Sequence, residues 1–76
     1  MKKHHEIENI RFADGNLLIT IDGRGKSFPL NQVSPVLEKA SDDERGSFDI
    51  SPSGYGIHWP LLDEDISIDG LLELQR

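Results

Sequence analysis

The chain contains no cysteine. Disulfides and thiolate metal sites are therefore excluded, and with them two common supports of a small fold. No apolar stretch approaches the roughly 18 residues that a transmembrane helix needs. The opening residues Met1-Lys2-Lys3-His4-His5-Glu6 are charged, and no apolar run of signal-peptide length follows them. Together these absences read as a soluble, cytoplasmic chain. Aromatic rings are scarce, with one Trp, one Tyr and three Phe. Cationic residues are also scarce: eight Lys/Arg stand against 14 Asp/Glu, for a net charge of −6.

That charge is unevenly placed. Residues 1–40 carry six Lys/Arg against five Asp/Glu, whereas residues 41–76 carry two against nine. An acidic half repels phosphate backbones, so direct nucleic-acid binding is not expected. The same surface suits a small basic protein partner, because opposite charge steers encounter and favours pairing. Solubility alone also accounts for charge of this size. Both readings stay open.

Seventy-six residues make one domain, spanning 1–76. A domain this small buries only about 60% of the surface its unfolded chain exposes. Oligomerisation is a remaining way to bury more.

Strand signals come first along the chain. Residues 7–12 form an imperfect strand in which Ile7 falls out of phase with Ile10 and Phe12. Ala13-Asp14-Gly15-Asn16 is a turn, since Gly and Asn tolerate positive φ. In the run 17–22, Leu17, Ile19 and Ile21 share one face. Gly23-Arg24-Gly25 marks a second hairpin, and 26–30 is a third strand with Phe28 and Leu30 inward. Pro29 cannot donate to a ladder, so this strand ends there or lies on an edge.

Helical spacing follows at Val33, Val36, Leu37 and Ala40, with Ser34 as N-cap and Pro35 at the first helical position. Ser41-Asp42-Asp43-Glu44 has the form of a capping box, closed by Gly46. Phe48–Ser51 and Tyr55–Trp59 alternate as two more strands around a Pro52-Ser53-Gly54 turn. The acids Asp63, Glu64 and Asp65 read as a loop. After them Ile68, Leu71 and Leu72 share a helical face behind a Ser67 N-cap, with Gln75 and Arg76 fraying.

The expected fold is α+β: a mostly antiparallel sheet in the order β-β-β-α-β-β-α, with short helices on one face. Its core would be Phe12, Ile19, Ile21, Phe28, Val36, Leu37, Phe48, Ile50, Ile57, Trp59, Leu71 and Leu72.

Candidate chemistry is thin. Three contiguous acids lack the spacing of a Ca²⁺ loop, and a solvated loop before a helix N-terminus explains them more simply. His4 and His5 sit at a terminus and supply fewer than the four fixed ligands of a structural metal site. His58 should face away from the core, paired across the sheet with Asp49, as surface structure rather than an acid–base dyad. No serine lies in a nucleophile elbow, and the Gly-x-Gly triplets at 23–25 and 54–56 lack the rest of a phosphate-binding pattern. The chain is small to enclose a ligand pocket of about 300 Å³ or more. No catalytic residue, metal ligand or cofactor is assigned, and the chain is not expected to be an enzyme. Tyr55 and Trp59 alternate and so share a face, where the plainer role is core and the other is an interface anchor.

From Leu37 onward the residues carry a longer pattern: Leu37, Ala40, Ser41, Glu44, Arg45, then Gly-Tyr-Gly-Ile-His-Trp-Pro at 54–60, then Leu-Asp-Glu-Asp-Ile-Ser-Ile-Asp-Gly-Leu-Leu at 62–72. This resembles the bacterial family known as domain of unknown function 2442. The resemblance implies a compact α+β domain, in some members fused to a helix-turn-helix domain, and standalone members set beside a second small gene as in toxin–antitoxin pairs. It carries over no catalytic residue. The resulting expectation is a non-enzymatic interaction module, antitoxin-like, binding a basic partner through Tyr55, Trp59, Asp63, Glu64 and Asp65. The alternative is a homodimeric regulatory or scaffold domain.

Overall fold

A computed structural model describes residues 4–74. The fraying expected at Gln75 and Arg76 lies outside them. The chain is an α+β fold with two three-stranded antiparallel sheets. The first holds β1 (Ile7–Ala13), β2 (Asn16–Ile21) and β3 (Arg24–Pro29) in that order. Three short helices follow: α1 (Leu30–Val33), α2 (Pro35–Lys39) and α3 (Asp42–Gly46). The second sheet holds β4 (Asp49–Ile50), β5 (Gly56–Trp59) and β6 (Glu64–Ser67), and α4 (Ile68–Glu73) follows it.

Local chemistry explains the first sheet. Asp14-Gly15 and Asp22-Gly23 form its two turns, with φ of 53° and 77° and of 52° and 82°. Two successive left-handed residues match the twist of the strands they join. The second turn thus falls one residue before the Gly23-Arg24-Gly25 stretch expected for it. The phase error of Ile7 has a physical cause. The β1–β2 register shifts between Glu8 and Arg11, and Asn9 there has φ 55°. An extra residue in one strand restores the alternation, so Ile7, Ile10 and Phe12 all pack against the core.

As expected, Ser34 is the N-cap of α2 and Pro35 its first residue; Ser34 is extended at φ −165° and ψ 120°, so Val33 ends the separate turn α1 instead of joining α2. Proline disfavours helical backbone in the residue before it. Ser34 then caps α2 by accepting from the Leu37 amide at 3.2 Å. The capping box at Ser41 and Glu44 is present, with both bonds made. Arg45 ties the two turns together: its Nε donates to Leu37 O at 2.8 Å and its Nη2 to Glu38 O at 2.6 Å.

Two differences from the expected architecture matter. The strands fall into two sheets, with the three helices between them in the chain. Glu64–Ser67 is also a strand, paired with β5 from Gly56↔Ser67 to Trp59↔Glu64, where a loop was expected. Charge hid it, because edge strands carry charged residues without leaving the sheet.

A buried cluster joins both sheets with α1, α2 and α4: Leu17, Ile19, Ile21, Phe28, Leu30, Leu37, Ile57, Trp59, Ile68 and Leu71. Leu17, Leu30 and Ile68 enter it beyond the expected set. Phe12, Phe48 and Leu72 pack against its rim. Val36 and Ile50 are exposed instead, at 45% and 38%. Each sits on an element too short to bury more than one side, α2 with five residues and β4 with two.

Candidate partner-binding face

The second sheet presents a shallow groove of about 450 Å³. Ile50, Pro52, Tyr55 and Ile66 give it apolar walls, and Asp49, His58 and Asp65 edge it. It is open rather than enclosed, which reconciles its size with so short a chain.

The turn before β5 holds Tyr55 in place. The Ser51 hydroxyl accepts from the amides of Tyr55 at 2.8 Å and Gly56 at 3.1 Å. The Tyr55 carbonyl accepts from the Ile68 amide at 3.0 Å. The backbone is therefore fixed at both ends while the residue is 58% exposed. Gly56 lets β6 approach, since a Cβ there would lie 2.9 Å from Ile66 O. The aromatic ring is presented by a rigid support.

The five residues expected to meet a partner separate into two groups. Tyr55, Asp63 and Asp65 are exposed. Trp59 is fully buried, its Nε1 donating to Arg45 O at 2.9 Å, with Phe48 and Phe12 ring centroids at 6.1 and 6.4 Å. It is a core residue with no exposed surface. Tyr55 lies just outside β5, so the strand alternation that would place it beside Trp59 does not extend to it. Glu64 is half-buried and turns inward, accepting a hydrogen bond from the Ser34 hydroxyl, which is itself buried. Glu64 thus links β6 to the N-cap of α2. Asp63 sits in the β5–β6 connection at φ 50°.

His58 does face outward, with Asp49 beside it in register on β4. Its hydrogen bond goes the other way, from Nδ1 to Asp65 Oδ1 on β6 at 2.7 Å. The acid that sequence reasoning placed in a loop is the one the imidazole uses.

A second polar cluster adjoins the Tyr55 turn. His4 Nε2 lies 2.8 Å from Asp69 Oδ2, and its ring centroid is 5.2 Å from that of Tyr55. His5 stands between two carboxylates, Nε2 at 3.0 Å from Asp69 Oδ1 and Nδ1 at 2.7 Å from Asp22 Oδ2. Hydrogen bonds to Asp69, then to Asp22, hold the His5 pKa above its ordinary 6.5. Asp22 is held below the usual carboxylate value by the Glu6 amide first and His5 second, and Asp69 by His5 and then His4. A frayed terminus was the expectation for His4 and His5. Their partners lie 17 and about 65 residues away, and no local pattern announces contacts at that separation. The adjacency of the two histidines was the one available signal.

The family described as protein of unknown function (DUF2442) matches residues 7–76. The chain belongs to this family. The match covers the N-terminal hairpins as well as the longer pattern from Leu37 onward. A crystal structure of a protein of unknown function from Rhodospirillum rubrum ATCC 11170 is similar to it, with a TM-score of 0.71 and 28% identity over 93% of this chain and 88% of that one. No curated protein matches. In this member the family pattern has structural roles: Arg45 joins α2 to α3, Trp59 fills the core, Glu64 meets Ser34, and Ser67 caps α4 by accepting from Gly70 N at 2.9 Å.

Proposed function

We propose that this domain is a non-enzymatic protein-interaction module of the cytoplasm. It would be antitoxin-like, binding a small basic protein through the groove of the second sheet. The observation that carries the reading is Tyr55, exposed on a fixed backbone at the edge of an apolar groove whose rim bears Asp49 and Asp65. Aromatic anchors on rigid supports contribute most to protein interfaces, and flanking carboxylates favour cationic partners. The groove's two serines have structural partners: Ser51 accepts from the amides of Tyr55 and Gly56, and Ser67 caps α4 by accepting from the Gly70 amide, which supports the non-enzymatic reading. Asp63 is exposed in the β5–β6 connection, at the other end of β5 from Tyr55, and adds to the acidic surface; Trp59 and Glu64 act structurally.

Tagged pull-down from the native cell, followed by affinity measurement with the recovered partner, tests this. The expected result is a small basic protein at equal stoichiometry whose affinity falls at least tenfold with Tyr55→Ala or with Asp63→Asn and Asp65→Asn combined. Unchanged affinity in both variants would remove the surface assignment. A second reading, a homodimeric regulatory or scaffold domain, draws on the edge strands that bound both sheets. A strictly monomeric chain across a sedimentation concentration series would eliminate it.

A further inference from the structure

His4, His5 and Asp69 bring their ligand atoms within 4.8 Å of one another. The separations between Asp69 oxygens and the two Nε2 atoms are 2.8 and 3.0 Å. Ligand atoms bound at about 2.0–2.2 Å to one tetrahedral ion lie roughly 3.3 Å apart, so small adjustments suffice to admit one. Asp22 supplies what a metal-binding imidazole ordinarily has behind it. Its Oδ2 accepts from His5 Nδ1 at 2.7 Å, which favours the proton on Nδ1 and leaves Nε2, beside Asp69, as the nitrogen that gives up its proton to a metal. Asp22 is itself held by the Glu6 amide at 2.9 Å.

The backbone fixes the same arrangement. The amides of His4 and His5 both donate to Ser53 O, at 2.6 and 3.3 Å. Gly54 makes room for this segment: its φ is 71°, and any Cβ would collide with the carbonyl oxygen of His5. The His5 side chain is 13% exposed, against 42% for His4 and 57% for Asp69. The set is therefore anchored at His5 and open to solvent at its other two members, where water or an outside donor can complete a tetrahedron.

We propose that His4, His5 and Asp69 form a Zn²⁺ site, with Asp22 as the carboxylate that orients His5. Two imidazoles and one carboxylate suit zinc and its neighbours rather than Ca²⁺ or Mg²⁺, which take all-oxygen sets. The site adjoins the groove of the second sheet through the His4 and Tyr55 rings but shares no lining residue with it, and it stands whether or not that groove binds a protein.

Calorimetric titration of the tag-free full chain with Zn²⁺ tests the assignment, with circular dichroism confirming that each variant is folded. One equivalent is expected to bind. Asp69→Asn and His5→Ala should each weaken binding at least tenfold. Asp22→Asn should weaken it about tenfold to a hundredfold, as loss of an outer carboxylate does elsewhere. His58→Ala should change nothing. Equal affinity in wild type, Asp69→Asn and Asp22→Asn would mean only a chelating His4-His5 pair and would overturn the site. A measurement independent of variants is the ¹⁵N spectrum of the histidine rings. Zinc should move the Nε2 signals of His4 and His5 and leave the ring of His58 in place; movement at His58 alone would also overturn it.

Discussion

The two sheets reach the same antiparallel pairing by different routes. In the first, β1, β2 and β3 have seven, six and six residues, and two Asp-Gly turns join them. In the second, β4, β5 and β6 have two, four and four. The first sheet draws on local pattern: alternation sets its inner face, and its turn residues favour the left-handed backbone its hairpins need. Strands as short as those of the second sheet hold few ladder bonds. It is held by bonds to distant parts of the chain: the Trp59 indole donates to the Arg45 carbonyl, Glu64 accepts from the Ser34 hydroxyl, and Ser53 O accepts from the amides of His4 and His5. Local pattern thus specifies the first sheet, and distant contacts specify the second, which bears the groove.

The largest break in this comparison should come at Trp59. Replacing a buried Trp or Phe by Ala costs about 3–5 kcal/mol. That approaches the whole stability of a small domain, roughly 5 kcal/mol at the low end of the usual range. Trp59→Ala should abolish the cooperative urea transition, whereas Tyr55→Ala should leave the midpoint nearly unchanged.

Glycine substitutions should sharpen the contrast. Gly54→Ala meets both a left-handed backbone and the His5 carbonyl. The backbone term alone is about 1–2 kcal/mol, so denaturant unfolding should show at least that loss, with the N-terminal segment detached from Ser53. Gly25 in β3 has open space around it and no positive φ. Gly25→Ala should shift stability by no more than about 0.5 kcal/mol.

Ser34→Ala comes next. Loss of an N-cap costs about 1 kcal/mol, and Ser34 also donates to Glu64. A double-mutant cycle of Ser34→Ala with Glu64→Gln should give a coupling of about 0.5 kcal/mol or more. Additive effects would show that β6 does not depend on the helical segment.

The smallest effect is in pH. The folded His5 pKa lies above 6.5, so with metal chelated its contribution is fully present below 6.5 and is lost as pH rises through the folded value. Asp22 and Asp69 are lowered from 3.8; their contributions are present above 3.8 and are lost as pH falls through their folded values. Melting temperature should therefore decline modestly from about pH 6 to about pH 8, and His5→Ala should flatten that decline.

Legibility follows the same division. Ser34 with Pro35, the Ser41–Glu44 box and the Ser67 cap were readable because each acts within three residues. Three contiguous acids obscured β6, since charge is compatible with both a loop and an edge strand. The alternation that puts Tyr55 and Trp59 on one face fails because Tyr55 lies outside β5. Spacing points Val36 and Ile50 to the core, but their elements are too short to bury them. The contacts of His4 and His5 are illegible locally because Asp22 and Asp69 are distant from them in the chain.

By itself the sequence determined the turns, the caps, the inner face of the first sheet and membership of the family described as DUF2442. All rest on interactions between residues close in the chain, or on a pattern carried along it. Only the tertiary structure decided that the strands divide into two sheets, that Glu64 turns inward, that His58 bonds Asp65 rather than Asp49, and that two histidines meet Asp69. These depend on which distant segments the shared core brings together, and apolar burial is non-directional until the whole chain has packed.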